Sequence, residues 1–144
     1  MDTRQVTQNL ATFFETLSPQ SVSQLHTLYD ALATFKDPFN EVQGLPEIER
    51  IFRHMYGALD QPHFVITGQL VDGAQAFLTW EFRFRFKRFD TTTLQTVRGA
   101  SHVAFNEQGL VTLHRDYWDA AEELYEKLPL VGGLMRWLKK RANQ

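Results

Sequence analysis

The chain has 144 residues, 43% hydrophobic and 22% charged, with a net charge of −2. That fits one domain with room for a core, and the balance of charge argues against a dedicated nucleic-acid binder. The lack of cysteine excludes a disulfide framework and a Cys-ligated metal, and no apolar run is long enough to span a bilayer.

The first residues, MDTRQVTQNLATFFE, carry an acid and amides where a secretory signal needs an apolar centre, so a soluble cytoplasmic protein is expected. Val6, Leu10, Phe13, Phe14 and Leu17 recur at helical spacing and predict an amphipathic helix over 3–17. Ser18-Pro19 offers an N-cap and a first-turn proline for a short helix to about 28, with Val22 and Leu25 inward. A strand is expected over 29–36, ended by Asp37-Pro38. Gly44 and Pro46 mark the turn into a second helix striped by Ile48, Ile51, Phe52, Met55, Tyr56 and Leu59.

The second half reads as strand: 63–71, then a turn at Asp72-Gly73, then 76–89, 94–105 and 110–118, the last two joined across Asn106-Glu107-Gln108-Gly109. The stretch AFLTWEFRFRFKRF alternates strictly. Ala76, Leu78, Trp80, Phe82, Phe84 and Phe86 share one face, while Phe77, Thr79, Glu81, Arg83, Arg85 and Lys87 share the other. Such a strand belongs to an antiparallel sheet with one wet side, and its aromatic face covers either a packed core or the wall of an apolar pocket. Phenylalanine occurs 12 times, which suits either. Asp119 can cap a helix to about 128, and Pro129, Gly132 and Gly133 precede a last basic helix to about 142.

Helices grouped against an antiparallel sheet mean α+β. The expected architecture is a cone, a strongly bent, largely antiparallel (mixed) sheet wrapped around the N-terminal helices. Residues 1–144 form one domain and 119–144 a C-terminal helical extension.

In this order and spacing the chain resembles the nuclear-transport-factor-two-like superfamily, and within it the SnoaL-like and ketosteroid-isomerase-like proteins. Three pieces carry the resemblance: the strand 28–39 ending in Asp37-Pro38, Gly44 with the helix after it, and the hairpin from Phe105 to Tyr117-Trp118. It implies a general base at Asp37. It also implies an oxyanion hole at or near Phe13 and Ser101. Phe13 has no hydrogen to donate and Ser101 is a weaker donor than a protonated acid, which argues against steroid isomerisation. The polyketide-cyclase-like pattern, His and Asp on the last two strands, falls on His102 and Asp116. A bulge in that hairpin would change which residues face inward.

Each site residue has a plainer reading. Asp37 can be a turn residue that bonds nearby amides. His102 and Asp116 can be a cross-strand polar contact, and His114-Arg115-Asp116 a charge cluster at a strand end. Phe52, Tyr29, Tyr56, Trp80, Phe82, Phe84 and Trp118 line the pocket in one reading and fill the core in the other. The histidines at 26, 54, 63, 102 and 114 lack close metal-ligand spacing, so neither a metal nor an organic cofactor is expected. The expected partners are a small apolar ligand, bound with or without proton-transfer chemistry, and a second copy of the chain through the charged sheet face. The tail, with Leu134, Trp137 and Leu138 on one face of a basic helix, offers either packing on the body or contact with an anionic membrane.

Overall fold

In the computed structural model, residues 1–124, 133, 137, 138 and 140–142 are described. Helix α1 (Thr3–Glu15) starts where the Asp2 carboxylate accepts from the Gln5 amide and buries Thr7, Leu10, Ala11 and Phe14. The next segment, Ser21–Thr27, is a 3-10 helix. Its hydroxyls explain the tight winding: Ser21, Ser23 and Thr27 each donate to the carbonyl three residues back. Val22 and Leu25 still point inward and are fully buried.

Strand β1 (Tyr29–Lys36) turns at Asp37 into the short β2 (Glu41–Gln43). Gly44 then adopts φ +95°, a left-handed value that suits glycine, and Pro46 lies in the first turn of α2 (Leu45–Ala58). Strand β3 (Leu59–Asp72) begins earlier than the periodicity indicates, running back past Pro62 to Leu59. The proline is tolerated because β3 is an edge strand and its pairing is interrupted between Asp60 and His63. Strands β4 (Gln75–Phe86), β5 (Gln95–Phe105) and β6 (Val111–Tyr117) follow. Asp119 caps the short α3 (Ala120–Glu123), whose Glu123 pairs with Arg98 of β5. The expected continuation of that helix to 128, the break at 129–132 and most of the basic helix lie outside the described residues. Among the described residues no helix is long and apolar enough to cross a membrane.

The fold is α+β, with one mixed, unclosed six-stranded sheet in the order β2-β1-β6-β5-β4-β3. Among the described residues only the β1–β6 pair is parallel. The main core lies between the helices and the inner sheet face, with Leu10, Leu25, Tyr29, Ile48, Val103 and Val111 at its centre. Each large aliphatic side chain fully buried there contributes about 1.5–3 kcal/mol of transfer free energy. A second cluster is built on Trp80 and Phe84 of β4 and Val97 of β5.

One irregularity decides what the inner face presents. Between β5 and β6, Ala104 pairs with Leu113 but Phe105 pairs with Val111, so Thr112 is an extra residue, a β-bulge. Beyond it the alternation is reversed. His114 and Asp116 turn inward, opposite Val103 and Ser101, while Arg115 pairs with His102 on the outer face.

Candidate functional site

A cavity of about 600 Å³ lies between α2 and the inner face of β4. The two-residue period of β4 places Trp80, Phe82, Phe84 and Phe86 along one wall. Phe82 and Phe84 lie 5.2 Å apart between ring centroids, as do Phe84 and Phe86. Phe52, Ile51 and Met55 of α2 face them, with Phe35 of β1 and Trp118 beyond β6. The polar members are Asp37, Asn40, Arg50, His54 and Asp116. Arg50 is already paired with Glu47. Deeper lies a hollow of about 20 Å³, large enough for one water molecule. Phe52, Phe64, Trp80 and Asp116 border both spaces and form the neck between them.

A chain of hydrogen bonds converges on Asp116. Tyr29 Oη lies 2.5 Å from His114 Nδ1, and His114 Nε2 lies 2.7 Å from Asp116 Oδ1. Ser101 Oγ donates to the same Oδ1 at 2.5 Å and accepts from Trp80 Nε1 at 2.9 Å. One assignment of hydrogens uses every donor. Tyr29 donates to Nδ1 of a neutral His114 that carries its hydrogen on Nε2, and both His114 and Ser101 donate to an ionised Asp116. Burial, reinforced by the nearby Asp116 charge, pushes the Tyr29 hydroxyl well above its ordinary pKa, so it stays protonated. Both of these donors land on Oδ1. Among the described residues nothing donates to Oδ2, and the Asp116 side chain, 17% exposed, borders the cavity.

The structure sorts the sequence candidates. Asp116 and Ser101 meet as described. Trp80, Phe82, Phe84, Phe52 and Trp118 border the cavity. Tyr29 is buried and reaches the site through His114. Asp37 lies at the cavity edge, but its Oδ1 accepts from the amides of Phe39 and Asn40 and from the Asn40 side chain. It holds the β1–β2 turn, as its plainer reading has it. His102 is not brought to Asp116. It lies on the outer sheet face, bonded to Gln75 and stacked on Phe77 at 4.6 Å, because it alternates with inward-facing Ser101 and Val103. Phe13 does not border the cavity either. Phe14 is the α1 ring that reaches the hollow, packed edge-on against His114, and like Phe13 it has no hydrogen to donate. The residue missed from the sequence is His114, whose inward direction depends on the bulge at Thr112. Among the described residues no three His, Asp or Glu side chains converge as a metal would require.

Tyr56 lies beside the main core rather than on the cavity. Its hydroxyl oxygen is buried with no partner among the described residues, and burial raises its pKa. Tyr56→Phe removes a desolvated polar atom that gains nothing in return. It is therefore expected to raise stability by about 1 kcal/mol in urea unfolding. A loss of stability would show that the hydroxyl has a partner.

Three comparisons bear on this geometry. Residues 10–114 match the model of a SnoaL-like domain family. Among curated proteins the sequence has no match. Solved structures share the fold at low identity. A protein with a ketosteroid isomerase-like fold from Catenulispora acidiphila, solved in complex with trimethylamine, superposes with a TM-score of 0.70 at 18% identity, covering 83% of this chain and 88% of its own. A candidate SnoaL-like polyketide cyclase from Shewanella putrefaciens gives 0.67 at 15%, covering 86% of each chain. An epoxide hydrolase from M. tuberculosis gives 0.66 at 13%, covering 84% of this chain and 85% of its own.

Proposed function

The chain belongs to the SnoaL-like domain family, and from that premise we propose that it binds a compact apolar or polycyclic small molecule in the cavity and exchanges a proton with it at Asp116. The observation that carries this reading is the division of labour within one carboxylate. Oδ1 takes the donors of Ser101 and His114, while Oδ2 has no donor from the described residues and Asp116 borders an aromatic cavity. A base needs such an unoccupied lone pair within reach of substrate. His114, held by Tyr29, keeps the carboxylate oriented. Oδ2 would take a hydrogen from a carbon next to a carbonyl, leaving the electron pair as an enolate, and return the proton at a second position. That is the chemistry of isomerase, cyclase or hydratase reactions. Neighbours named as a polyketide cyclase and an epoxide hydrolase support a small-molecule reading. The reading takes the protein to be cytoplasmic and to use no organic cofactor.

The test is native mass spectrometry of the purified protein, followed by extraction of anything bound. A stoichiometric apolar metabolite, lost when Phe84→Asp places a charge in the wall, supports the reading. An empty protein whose cavity takes up no apolar probe from a fragment set overturns it and favours a non-catalytic module.

We also propose that the protein is a homodimer through the outer sheet face. Phe77, 42% exposed, stacks on His102, and Arg115 lies 4.6 Å over the Tyr117 ring, so this face carries aromatic surface among its charges. Phe77→Asp is expected to shift the protein from dimer to monomer by light scattering. A wild type that is monomeric at all concentrations rules the dimer out.

A further inference from the structure

The neck is made of three aromatic rings and one carboxylate: Phe52, Phe64, Trp80 and Asp116. Phe64 and Trp80 meet edge to face at 89° with centroids 5.7 Å apart, and one face of Phe64 is stacked on Phe82 at 4.4 Å. The partners of Asp116 are neutral, namely the Ser101 hydroxyl and a His114 imidazole whose Nδ1 accepts from Tyr29. Among the described residues no lysine or arginine pairs with it. A carboxylate among apolar groups, without a cation, is an expensive charge to keep, and a positively charged ligand relieves it. Aromatic faces attract cations through their quadrupoles, most strongly where water is excluded. The kind of cation follows from the hydrogen-bond inventory. A primary ammonium carries three hydrogens that need acceptors, and Asp116 offers one free oxygen. An ammonium clothed in methyl groups needs one contact with charge and otherwise apolar walls. The hollow of about 20 Å³ beyond the neck has room for a group the size of one methyl.

We propose that the neck binds a tertiary or quaternary methylated ammonium group, carried on an apolar body that occupies the outer cavity. The proposal rests on the reading of the cavity as a ligand site and adds the charge of the ligand. Where the nitrogen is tertiary it arrives protonated, its N–H points at Oδ2, and the proton that Asp116 exchanges is this one in place of one from carbon. On transfer the N–H bond breaks, an O–H bond forms, and the electron pair stays on nitrogen.

Choline and 3,3-dimethylbutan-1-ol have the same shape and differ in charge, which makes them the probes. Each is titrated into the full-length protein at constant ionic strength while the Trp80 indole N–H resonance is followed. Choline is expected to bind at least about tenfold more tightly than the alcohol. Asp116→Asn and Phe64→Leu should each bring the two probes within about threefold, the second variant retaining the carboxylate and the apolar volume. Equal binding of the two probes, or a preference for choline that survives both substitutions, overturns the proposal. A neutral polycycle, 2-naphthol, separates the failures. If it perturbs Trp80 and choline does not, the ammonium falls and the ligand site stands. If neither perturbs Trp80, both fall.

Discussion

Asp116→Asn is expected to lower turnover of the natural ligand at least about a hundredfold while the protein remains folded, the range lost when a positioned general base is removed. The asparagine carbonyl can still accept from Ser101 Oγ and His114 Nε2, now 2.5 and 2.7 Å from Oδ1. The amide nitrogen that replaces Oδ2 has no lone pair to offer a proton. The informative comparison is Asp37→Asn. The general base that the family resemblance implies at Asp37 would make that change abolish turnover, but in the structure Asp37 accepts from two backbone amides, which an asparagine oxygen can also do. Turnover measured on both variants decides between them. Loss at position 37 with activity retained at 116 would move the base to the end of β1 and leave the buried network a structural device.

Gly99→Val is expected to destabilise the protein by about 3 kcal/mol, read as a lower urea midpoint at constant slope. Gly99 sits opposite Trp80 on the neighbouring strand. A Cβ there would lie 2.5 Å from Cη2 of the indole and 2.8 Å from Cζ2, closer than any packed pair tolerates. The ring is rigid and buried, so it must move as a body. It then gives up the 2.9 Å bond from Nε1 to Ser101. Overpacking of this kind costs about 1–3 kcal/mol and an unpaired buried donor a similar amount, only partly additive. Because Trp80 forms part of the neck, ligand affinity should fall along with stability. A variant of wild-type stability with unchanged indole emission would mean that the ring has other space to occupy.

How far the sequence could lead depends on the periodicity at stake. Strand β1 runs over 29–36 as read, and the aromatic row of β4 faces inward as read, because a two-residue period assigns every side chain to one of two faces. Helical spacing is less decisive between adjacent residues. Phe13 and Phe14 both fit the stripe of α1, and packing against His114 selects Phe14. Asp37-Pro38 reads equally as a turn or a catalytic motif, and the amides of Phe39 and Asn40 show the turn. The pairing of His102 with Asp116 fails for a sharper reason. Strand periodicity carries no sign of an inserted residue, so Thr112 reads as an ordinary strand position while it reverses everything after it. His114 was visible only as part of a charged run, and its buried bond to Tyr29 joins residues 85 positions apart.

That same inserted threonine marks a place where the gene can change length without rebuilding the site. Deleting Thr112 would straighten β6 and leave His114 and Asp116 inward, because every residue from Leu113 onward keeps its partner on β5. Turning Arg115 and Tyr117 inward would take the opposite change, a strand that keeps Thr112 and flattens the bulge. A one-codon gap at this position in a relative is therefore compatible with an unchanged cavity floor.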